Sequence, residues 1–536
     1  MIAMFGEDLP LFPAASLLSL EHMLLRARQL RGDGIAIIDD ERRVSWNELI
    51  DRVGRLAGGI ASLGMKPGDR VAILAENSAR YIEVYLAVPW GGGIVTPLNY
   101  RLAAGELVAI IEDCGADILV VDAVHAELGV ELAARTDCKC VVYASPEPPA
   151  RSEWVAYEDL VRGAQPARCT GRSGDDVAAI VYTSGSTGQP KGVMHSHANI
   201  VAAGFAVAAG YQLDEDSVSL ISGPLFHVGA TGLAIPTLMA AGTLSILPRF
   251  DARRALQRVE QHRVTVLNGV PTMLRMMLEH PECRDHDLSS LLRVPFGGAP
   301  MPPSLLKELL TVMPRARFLH SFGMTETVSS CTMLPDAWLR EDRRAANKFN
   351  SIGRAMLGSE VSIRDPADKD VPPGTIGEIV VRGPCVMRGY WNKPDITAQT
   401  LRGGWLHTGD LGYLDEGGFL FIVDRLKDMI ITGGENVYST EVEEVVYAYP
   451  GVSQCAVIGI PDERWGEAVH AIVVPRAGVE LSEAALIAHC REKIARYKCP
   501  RSIEIRAGSL PLSAANKINK PALRAPYWKD RHNGLV

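Results

Sequence analysis

The sequence lacks the marks of several protein classes. Its ten cysteines include no CxxC pair and no Cys/His set at metal-ligand spacing, which argues against a zinc site and a regular disulfide framework. A strong excess of charge is also missing, since 55 Lys and Arg stand against 63 Asp and Glu. A chain without a general basic surface is not expected to bind nucleic acid. We expect a protein of a reducing, cytoplasmic setting.

Long hydrophobic runs are absent as well. The longest stretch without Lys, Arg, Asp or Glu runs from Ser217 to Pro248, but glycines and prolines interrupt it and His227 lies inside it. We predict a helix followed by a buried strand there, not a transmembrane segment. No basic region precedes an apolar stretch near the first residue, and the last three residues form no retention or peroxisomal signal. We therefore expect no secretory or organellar address.

Apolar residues make up 47% of the chain and recur in an alternating pattern. Runs of four to six apolar residues alternate with longer amphipathic segments; the runs include 71–74, 118–121 and 178–182, and the segments 46–63, 252–262 and 303–312. Buried strands that alternate with helices predict an α/β fold with mostly parallel sheets in a large N-terminal domain.

The pattern changes from about Gly353 to short strands with glycine and proline turns, which predicts a β-rich subdomain. A charged stretch at 424–428 precedes a last block of the chain. The pattern of this block predicts a strand, a helix, further strands, a second helix and a final strand, in that order. That order is typical of a small α+β domain. We predict an N-terminal domain of residues 1–424 and a C-terminal domain of residues 425–536.

The strongest local motif is the segment 182–192, YTSGSTGQPKG, which follows the apolar run at 178–181. Its glycines let the backbone approach an anion closely, and its hydroxyl groups and lysine add donors, so it predicts a phosphate-binding loop. It is neither a Walker A loop nor a nucleophile elbow. A plain Gly/Ser turn is the alternative. The candidate residues are Thr183, Ser184, Gly185, Ser186, Thr187, Gly188 and Lys191.

Further motifs follow in order along the chain. They are SFGMTE at 321–326, GWLHTGD at 404–410, DRLKD at 424–428, GGEN at 433–436 and the segment 510–518 that ends in NKI. With the loop at 182–192 they resemble the motifs of the adenylate-forming superfamily, which contains acyl-CoA synthetases, peptide-synthetase adenylation domains and luciferases. The resemblance spans residues 178 to 520 and implies a small, mobile C-terminal domain.

The resemblance implies roles for residues of the predicted N-terminal domain. Thr325 contacts the α-phosphate of ATP, and Glu326 holds Mg²⁺. Phe322, where the family usually has Tyr, stacks on adenine beside Gly323, and the turn with Gly298 and Ala299 lines the wall of the adenine and acyl sites. For Asp410 we expect a solvent-facing turn, where its carboxylate accepts hydrogen bonds from the ribose hydroxyls and Arg425 donates to the same sugar.

The resemblance also implies roles for residues after 425. Lys427 is the hinge, and Lys517, in the loop 511–520, binds the reacting carboxylate and the α-phosphate. Gly433 and Gly434 line the path of CoA. Asn516 stands where the family usually has Gly, and Asn also tolerates left-handed backbone angles.

The segment Pro224-Leu225-Phe226-His227 lacks the Asp with which amino-acid-activating relatives pair the substrate ammonium. The resemblance implies that His227 is instead the gate of an acyl tunnel. The small residues after it either leave room for a bulky acyl group or reflect tight helix packing: Gly229, Ala230, Thr231, Gly232 and Ala234.

The sequence thus predicts an acyl-CoA ligase that uses ATP, Mg²⁺ and CoA to activate a hydrophobic carboxylic acid, fatty, aromatic or related. Only 19 residues follow Lys517, too few for a carrier domain, so we expect free CoA as the acceptor. Two alternatives remain open: an acyl-AMP ligase that loads a separate carrier protein, and a catalytically silent nucleotide-binding protein. We expect small-molecule partners, no nucleic acid, and a chain compatible with a homodimer.

Overall fold

The structure is a computed structural model and describes residues 18–149, 151–183, 190–299, 301–340, 348–512 and 518–528. Its helices in chain order are α1 Leu20–Arg31, α2 Trp46–Ser62, α3 Ala79–Trp90, α4 Ala104–Cys114, α5 Ala126–Arg135, α6 Tyr157–Gly163, α7 His197–Tyr211, α8 Val228–Met239, α9 Ala252–Gln261, α10 Pro271–Leu278, α11 Pro303–Val312, α12 Pro394–Thr400, α13 Ser439–Tyr447, α14 Glu483–Lys493 and α15 Lys520–Trp528.

The strands of the N-terminal part are β1 Ile35–Asp39, β2 Arg42–Ser45, β3 Arg70–Leu74, β4 Ile94–Pro97, β5 Ala116–Val121, β6 Cys140–Tyr143, β7 Val155–Ala156, β8 Val177–Thr183, β9 Lys191–Ser196, β10 Val218–Ile221, β11 Thr243–Ile246, β12 Val266–Leu267, β13 Arg293–Phe296, β14 Arg317–Gly323, β15 Ser330–Leu334 and β16 Arg354–Ala355. Those that follow are β17 Glu360–Arg364, β18 Gly377–Arg382, β19 Gly389–Tyr390, β20 Leu406–Leu414, β21 Leu420–Arg425, β22 Ile430–Thr432, β23 Glu435–Val437, β24 Val452–Asp462, β25 Gly466–Pro475 and β26 Ser502–Ile505.

By packing, the chain divides into two units, the first formed by residues 1–361 and 381–406. Within its described residues the first unit contains a nine-stranded sheet, ordered β16-β15-β14-β13-β12-β10-β11-β1-β2, and an eight-stranded sheet, ordered β19-β9-β8-β4-β3-β5-β6-β7. The inner strands pair mainly in parallel, as buried strands that alternate with helices require. Helices α2, α3, α7 and α8 bury apolar side chains in the main core.

The second unit is formed by residues 362–380 and 407–536. It holds most of the four-stranded sheet β17-β18-β20-β21 and, in its described part, the sheet β23-β22-β25-β24 with β26 beside β25. Strands β24 and β25 are long antiparallel partners. Their buried side chains pack with those of α13 and α14 to form a separate core, as a small α+β domain requires.

The predicted fold class is confirmed: the first unit is a large α/β body and the second a smaller, β-rich one. Helix α11 has the predicted bounds, and α2 and α9 end one residue early. The segment 217–248 contains the predicted helix and buried strand, α8 and β11, but also β10, which the sequence analysis did not predict. No helix in the described ranges is long and apolar enough to cross a membrane. The predicted boundary at residue 424 stays a prediction.

Candidate active site

The phosphate-loop candidate connects two paired strands. Thr183, the last residue of β8, lies opposite Lys191, the first residue of β9, in the antiparallel register of these strands. Lys191 Nζ lies 5.2 Å from the ring centroid of Tyr390. The hairpin therefore holds both ends of the loop next to each other. The remaining candidates of the loop lie outside the described residues: Ser184, Gly185, Ser186, Thr187 and Gly188.

The Thr325-Glu326 pair begins a short 3-10 turn, Thr325–Thr327, directly after β14. Glu326 is only 8% exposed, and its Oε1 accepts a hydrogen bond of 2.8 Å from the Tyr390 hydroxyl. Burial raises the pKa of Tyr390, and the nearby Glu326 charge raises it further, so this hydroxyl stays a donor. Among the described residues no hydrogen bond reaches Oε2 of Glu326. That oxygen is available to bind a cation.

A buried histidine supports the same turn. His195 of β9 is 1% exposed, and its Nε2 lies 2.7 Å from the backbone carbonyl oxygen of Thr325. A carbonyl oxygen only accepts, so Nε2 carries the proton. Burial lowers the pKa of His195 to about 4, and the ring is neutral at pH 7.

The carboxyl ends of two parallel strands bring further candidates together. Strands β13 and β14 pair in parallel, so the turn with Gly298 and Ala299 lies beside Phe322 and Gly323. A Cβ on Gly323 would lie 2.0 Å from the Ser329 carbonyl oxygen, which explains why the chain has glycine there. Gly298 and Ala299 are exposed, and Phe322 is half-buried. Such strand ends are the usual ligand sites of open α/β sheets.

A narrow, partly open pocket lies within the first unit, near the Thr325-Glu326 turn. Its lining comes from helices α3, α7 and α8, from strand β9 and from the segment after the turn; the residues are Tyr85, His195, Ile200, Ala203, Gly204, Val228, Thr231, Gly232, Ile235, Pro236, Val328 and Ser329. None of these described lining residues is Asp, Glu, Lys or Arg. The pocket therefore offers no charge to a ligand.

The small residues after the proposed gate differ in what they contact. Thr231 and Gly232 line the pocket, but a Cβ on Gly232 would lie only 2.3 Å from Ser329 Oγ, so this glycine is also needed for close packing. Ala234 is fully buried in the core. Only part of this segment therefore lines the pocket.

His227 lies at the start of α8 and is exposed. Its Nδ1 accepts a hydrogen bond of 3.0 Å from the Gly229 backbone N–H, and thus caps the helix. The next residue, Val228, lines the pocket, whereas His227 does not. Its proposed place is therefore at the edge of the acyl site.

Within the second unit, Asp410 and Arg425 lie directly opposite each other on β20 and β21. Oδ1 of Asp410 is 3.3 Å from Nε of Arg425. The expectation of a solvent-facing Thr-Gly-Asp turn is wrong, because Asp410 lies inside a paired strand and is only 7% exposed. Gly409, at φ +71°, supplies the turn-like backbone, but it lies within β20.

The hinge and loop candidates of the second unit are exposed. Lys427 follows β21, and its carbonyl oxygen accepts a hydrogen bond from Arg524. Gly433 and Gly434 form the two-residue turn between β22 and β23, with φ of +61° and +84°. A turn with both angles positive strongly favours glycine. Lys517 lies outside the described residues.

Sequence reasoning missed the residues that hold these candidates in place. Tyr390 lies 64 residues after Glu326, and no local pattern connects the two. Lys520, at the start of α15, contacts Ser439 Oγ at 2.6 Å and Glu443 Oε1 at 2.8 Å. Its position three residues after Lys517 was the only available signal.

Comparisons with known proteins agree with this geometry. The family model of AMP-binding enzymes matches residues 25–391, and the model of the AMP-binding enzyme C-terminal domain matches residues 441–517. A feruloyl-CoA synthase of Amycolatopsis is 41% identical over 489 residues, which cover 90% of this chain and 94% of that one.

A second relative is the 3-[(3aS,4S,7aS)-7a-methyl-1,5-dioxo-octahydro-1H-inden-4-yl]propanoyl:CoA ligase of Mycobacterium tuberculosis, 37% identical over 97% of this chain and 99% of that one. Among solved structures, ATP-bound MatB of Rhodopseudomonas palustris superposes with a TM-score of 0.84 at 32% identity, over 96% of this chain and 100% of that one. The chain thus belongs to the family of AMP-binding, adenylate-forming enzymes, and its activity is that of an acyl-CoA ligase, which activates an acid with ATP and transfers the acyl group to CoA.

Proposed function

We propose that the pocket lined by α3, α7 and α8 forms part of the acyl site of this ligase, and that this site takes a hydrophobic, uncharged acyl group. The observation that carries the proposal is the lining itself, which is mostly apolar and, in its described residues, free of charged side chains. A charged group buried there would lack a partner and lose its hydration, at a cost of several kcal/mol. The feruloyl and bicyclic propanoyl groups in the relatives' names are consistent with such a site.

The residues of the first unit suit an adenylation step. A carboxylate is already ionised, so its attack on the α-phosphorus needs no general base, and the barrier is mostly charge repulsion. Thr325 and Lys191, with the loop between Thr183 and Lys191, supply donors to the phosphates. Phe322 supplies the aromatic face for adenine, next to Gly298, Ala299 and Gly323. Catalysis then consists of positioning and electrostatic stabilisation.

Glu326 is the proposed Mg²⁺ ligand. One carboxylate oxygen is held by Tyr390 and the other is available, which fits a cation that takes most of its remaining ligands from phosphates and water. The described residues contain no cluster of three His, Cys, Asp or Glu side chains that could hold a metal alone. When bound, Mg²⁺ supplies charge that offsets the repulsion between carboxylate and phosphates.

In the second unit we assign ribose binding to Asp410 and Arg425, the CoA path to Gly433 and Gly434, and the hinge to Lys427. Asp410 is held by the strand pairing and can accept hydrogen bonds from a vicinal diol. Lys517 binds the carboxylate and the α-phosphate during adenylation. The family match to residues 441–517 supports a separate C-terminal functional unit.

The test is a panel of carboxylic acids with ATP, Mg²⁺ and CoA, read by AMP release and by thioester mass. Hydrophobic acids should give both products, and dicarboxylic acids of equal length should give neither. Pyrophosphate exchange without thioester formation would favour transfer to a separate carrier protein. ATP binding without any turnover across the panel would overturn the proposal and favour a silent nucleotide-binding protein.

Three further features remain proposals. A division at residue 424 would be tested by expressing residues 1–424 alone. A homodimer would be tested by the mass of the purified protein in solution. A reducing, cytoplasmic location accords with ten free cysteines, and fractionation of the source cells would test it.

A further inference from the structure

One carboxylate of the second unit is hydrogen-bonded to the segment that leads to Asp410. Glu378 lies on β18, and its side chain is only 15% exposed. Its Oε2 is 2.8 Å from Nδ1 of His407, and its Oε1 accepts a hydrogen bond of 3.1 Å from the Gly409 backbone N–H. A carboxylate that is buried to this extent needs such donors. Both donors come from the three residues that precede Asp410.

Thr408, between these two donors, adds a further link to the same strand. Its hydroxyl donates a hydrogen bond of 2.7 Å to the Ile379 carbonyl oxygen and accepts one of 3.1 Å from the Asp410 backbone N–H. Strands β18 and β20 are neighbours in their sheet. Hydrogen bonds that involve side chains therefore attach the segment 407–409 to β18 in addition to the sheet pairing.

The backbone at Gly409 explains why this segment needs a restraint. Its φ of +71° lies in the left-handed region, although the residue is part of a strand. A Cβ there would meet no atom within 4 Å, so packing does not hold the residue, and glycine has more conformational freedom than any other residue. Its carbonyl oxygen accepts a hydrogen bond of 2.9 Å from Leu426, and its N–H donates to Glu378.

We propose that Glu378 is a positioning residue for nucleotide binding, which holds the backbone of residues 407–409 so that the Asp410 carboxylate faces the ribose. This inference rests on the proposed function, because it takes Asp410 as the ribose ligand. Glu378 acts through Asp410 and does not itself touch the nucleotide. A carboxylate with only a structural role would affect stability, whereas a positioning residue also affects the recognition of the ribose hydroxyls.

The surroundings of His407 provide a conservative variant. Its side chain is 3% exposed, and its Nε2 lies 3.5 Å from Oδ1 of Asp368. In Glu378→Gln the amide oxygen still accepts from the Gly409 N–H, and the amide NH₂ donates to Nδ1 of His407. The histidine then carries its proton on Nε2, next to Asp368. Glutamine can thus keep both contacts, and we expect it to retain the function of Glu378.

The experiment compares the full-length enzyme with variants that remove or keep these contacts. Glu378→Met retains a long side chain but has no acceptor for either donor. Glu360→Met, on the neighbouring strand β17, is the matched control, because Glu360 forms an exposed ion pair with Arg382. Calorimetry measures the Kd of ATP and of 2′-deoxy-ATP for each protein, pyrophosphate exchange measures kcat and the KM for ATP, and thermal melting checks folding.

The wild type should bind ATP more tightly than 2′-deoxy-ATP. Glu378→Met should reduce this preference by about three- to tenfold, the effect of weakening one hydrogen bond to the ribose. The loss should appear mainly in the KM for ATP, with kcat within about twofold of wild type, because the ribose is distant from the reacting atoms. Glu378→Gln and Glu360→Met should both behave as wild type.

A double variant tests whether Glu378 acts through Asp410. In an Asp410→Asn background, Glu378→Met should change the nucleotide preference no further, because residues that act through one contact are not additive. If the two losses add, the inference is overturned. Should Glu378→Met not fold, Glu378→Asp takes its place, because its side chain is one methylene shorter and cannot reach both donors.

The outcomes separate this inference from the proposed function. A folded Glu378→Met with the wild-type preference, or with an equal loss for both nucleotides, would overturn the inference and leave Asp410 at the ribose. Equal binding of both nucleotides by the wild type would overturn the inference together with the ribose assignment, while AMP release would still establish the ligase. A wild type that binds ATP but releases no AMP with any acid would contradict the proposed function, and the Kd values would still decide the role of Glu378.

Discussion

The Tyr390 hydroxyl donates a hydrogen bond of 2.8 Å to Oε1 of Glu326, and the Lys191 ammonium lies over the face of the same tyrosine ring. Two residues that are distant in sequence thus contact one aromatic side chain. Through Tyr390, the lysine at the end of the proposed phosphate loop and the proposed Mg²⁺ ligand occupy fixed positions relative to each other.

We expect Tyr390→Phe to raise the Mg²⁺ concentration required for half-maximal pyrophosphate exchange by about three- to tenfold. The variant loses one hydrogen bond to a carboxylate, worth about 1 kcal/mol, and leaves Oε1 of Glu326 without its donor. Tyr413→Phe is the control for the loss of a tyrosine hydroxyl, since that ring stacks on Phe421 and no described hydrogen bond joins it to Glu326. An unchanged Mg²⁺ dependence in Tyr390→Phe would contradict the proposed role of Glu326.

The ion pair between Asp410 and Arg425 determines what we expect of an Asp410 variant. Asp410→Asn keeps the shape of the side chain but removes its charge, so we expect a modest loss of stability, of about 1 kcal/mol or less, because Arg425 is half exposed. The larger effect should be on nucleotide choice. The wild type should prefer ATP over 2′-deoxy-ATP, and the variant should lose most of that preference. Equal use of both nucleotides by the wild type would remove Asp410 from the ribose site.

His227→Asn tests the gate without removing the helix cap. Asn retains a side-chain acceptor for the Gly229 N–H, whereas His227→Ala would also cost about 1 kcal/mol of capping. We expect a change in acid preference or in the KM for CoA, with the KM for ATP nearly unchanged. If acid selectivity and both half-reactions match the wild type, His227 is only a cap.

Lys520 holds together three elements of the second unit. Its ammonium contacts Ser439 and Glu443, and Ser439 Oγ donates to Asp424 at 2.9 Å. Burial raises the pKa of Asp424 and of Glu443, and the charge of Lys520 lowers both in part. The start of α15, close to the Lys517 loop, is thereby fixed to the end of β21 and to α13.

We expect Lys520→Met to cost about 2 to 4 kcal/mol of stability at pH 7, because it leaves buried carboxylates without their cation. Their pKa values then rise further in the folded state, which binds more protons than the unfolded chain above about pH 4. The deficit relative to wild type should therefore shrink as the pH falls from 7 toward 4. Melting curves across this range measure it. Lys139→Met, at an exposed ion pair, is the control, and an equal deficit there would contradict the role of burial.

The sequence allowed most elements to be predicted and candidate site residues to be named, but not the contacts that hold them in place. Helices such as α11 followed from apolar periodicity, which is a local property. Strand β10 was missed because its four residues carry little periodicity of their own and become a strand by pairing with β11 and β12. The burial of Asp410 was missed for the same reason, since it depends on the strands beside it.

The pocket illustrates the same limit. Tyr85 and His195 lie 110 residues apart and line one pocket only because α3 and β9 pack around the same space. Nothing in the local sequence of either residue distinguishes it from an ordinary core side chain. By contrast, the adjacency of Thr325 and Glu326 could be predicted, because both lie in one short turn, and their roles in phosphate and Mg²⁺ binding stay predictions.

The two half-reactions should depend on different parts of the second unit. We expect these parts to exchange places by a rotation about Lys427 between the two steps. Adenylation requires a cation near the α-phosphate, the proposed task of Lys517, whereas thioester formation requires that lysine to be withdrawn and a narrow path to be open past Gly434. Lys517→Ala should slow pyrophosphate exchange by two or more orders of magnitude, which is what one well-placed electrostatic contact supplies, and should spare CoA attack on synthetic acyl-AMP.

Gly434→Leu should have the opposite effect. A Cβ at Gly434 meets no atom within 4 Å, so the side chain would point into open space where pantetheine is proposed to pass, although φ of +84° strains any non-glycine residue. Gly478→Leu carries the same strain, at φ +77° and with equally open surroundings, in a turn after β25, and it separates strain from obstruction. We expect Gly434→Leu to lose thioester formation and keep pyrophosphate exchange, and Gly478→Leu to keep both. Equal damage to both steps in Lys517→Ala and in Gly434→Leu would rule out alternation for this enzyme, because a single fixed arrangement would then serve both reactions.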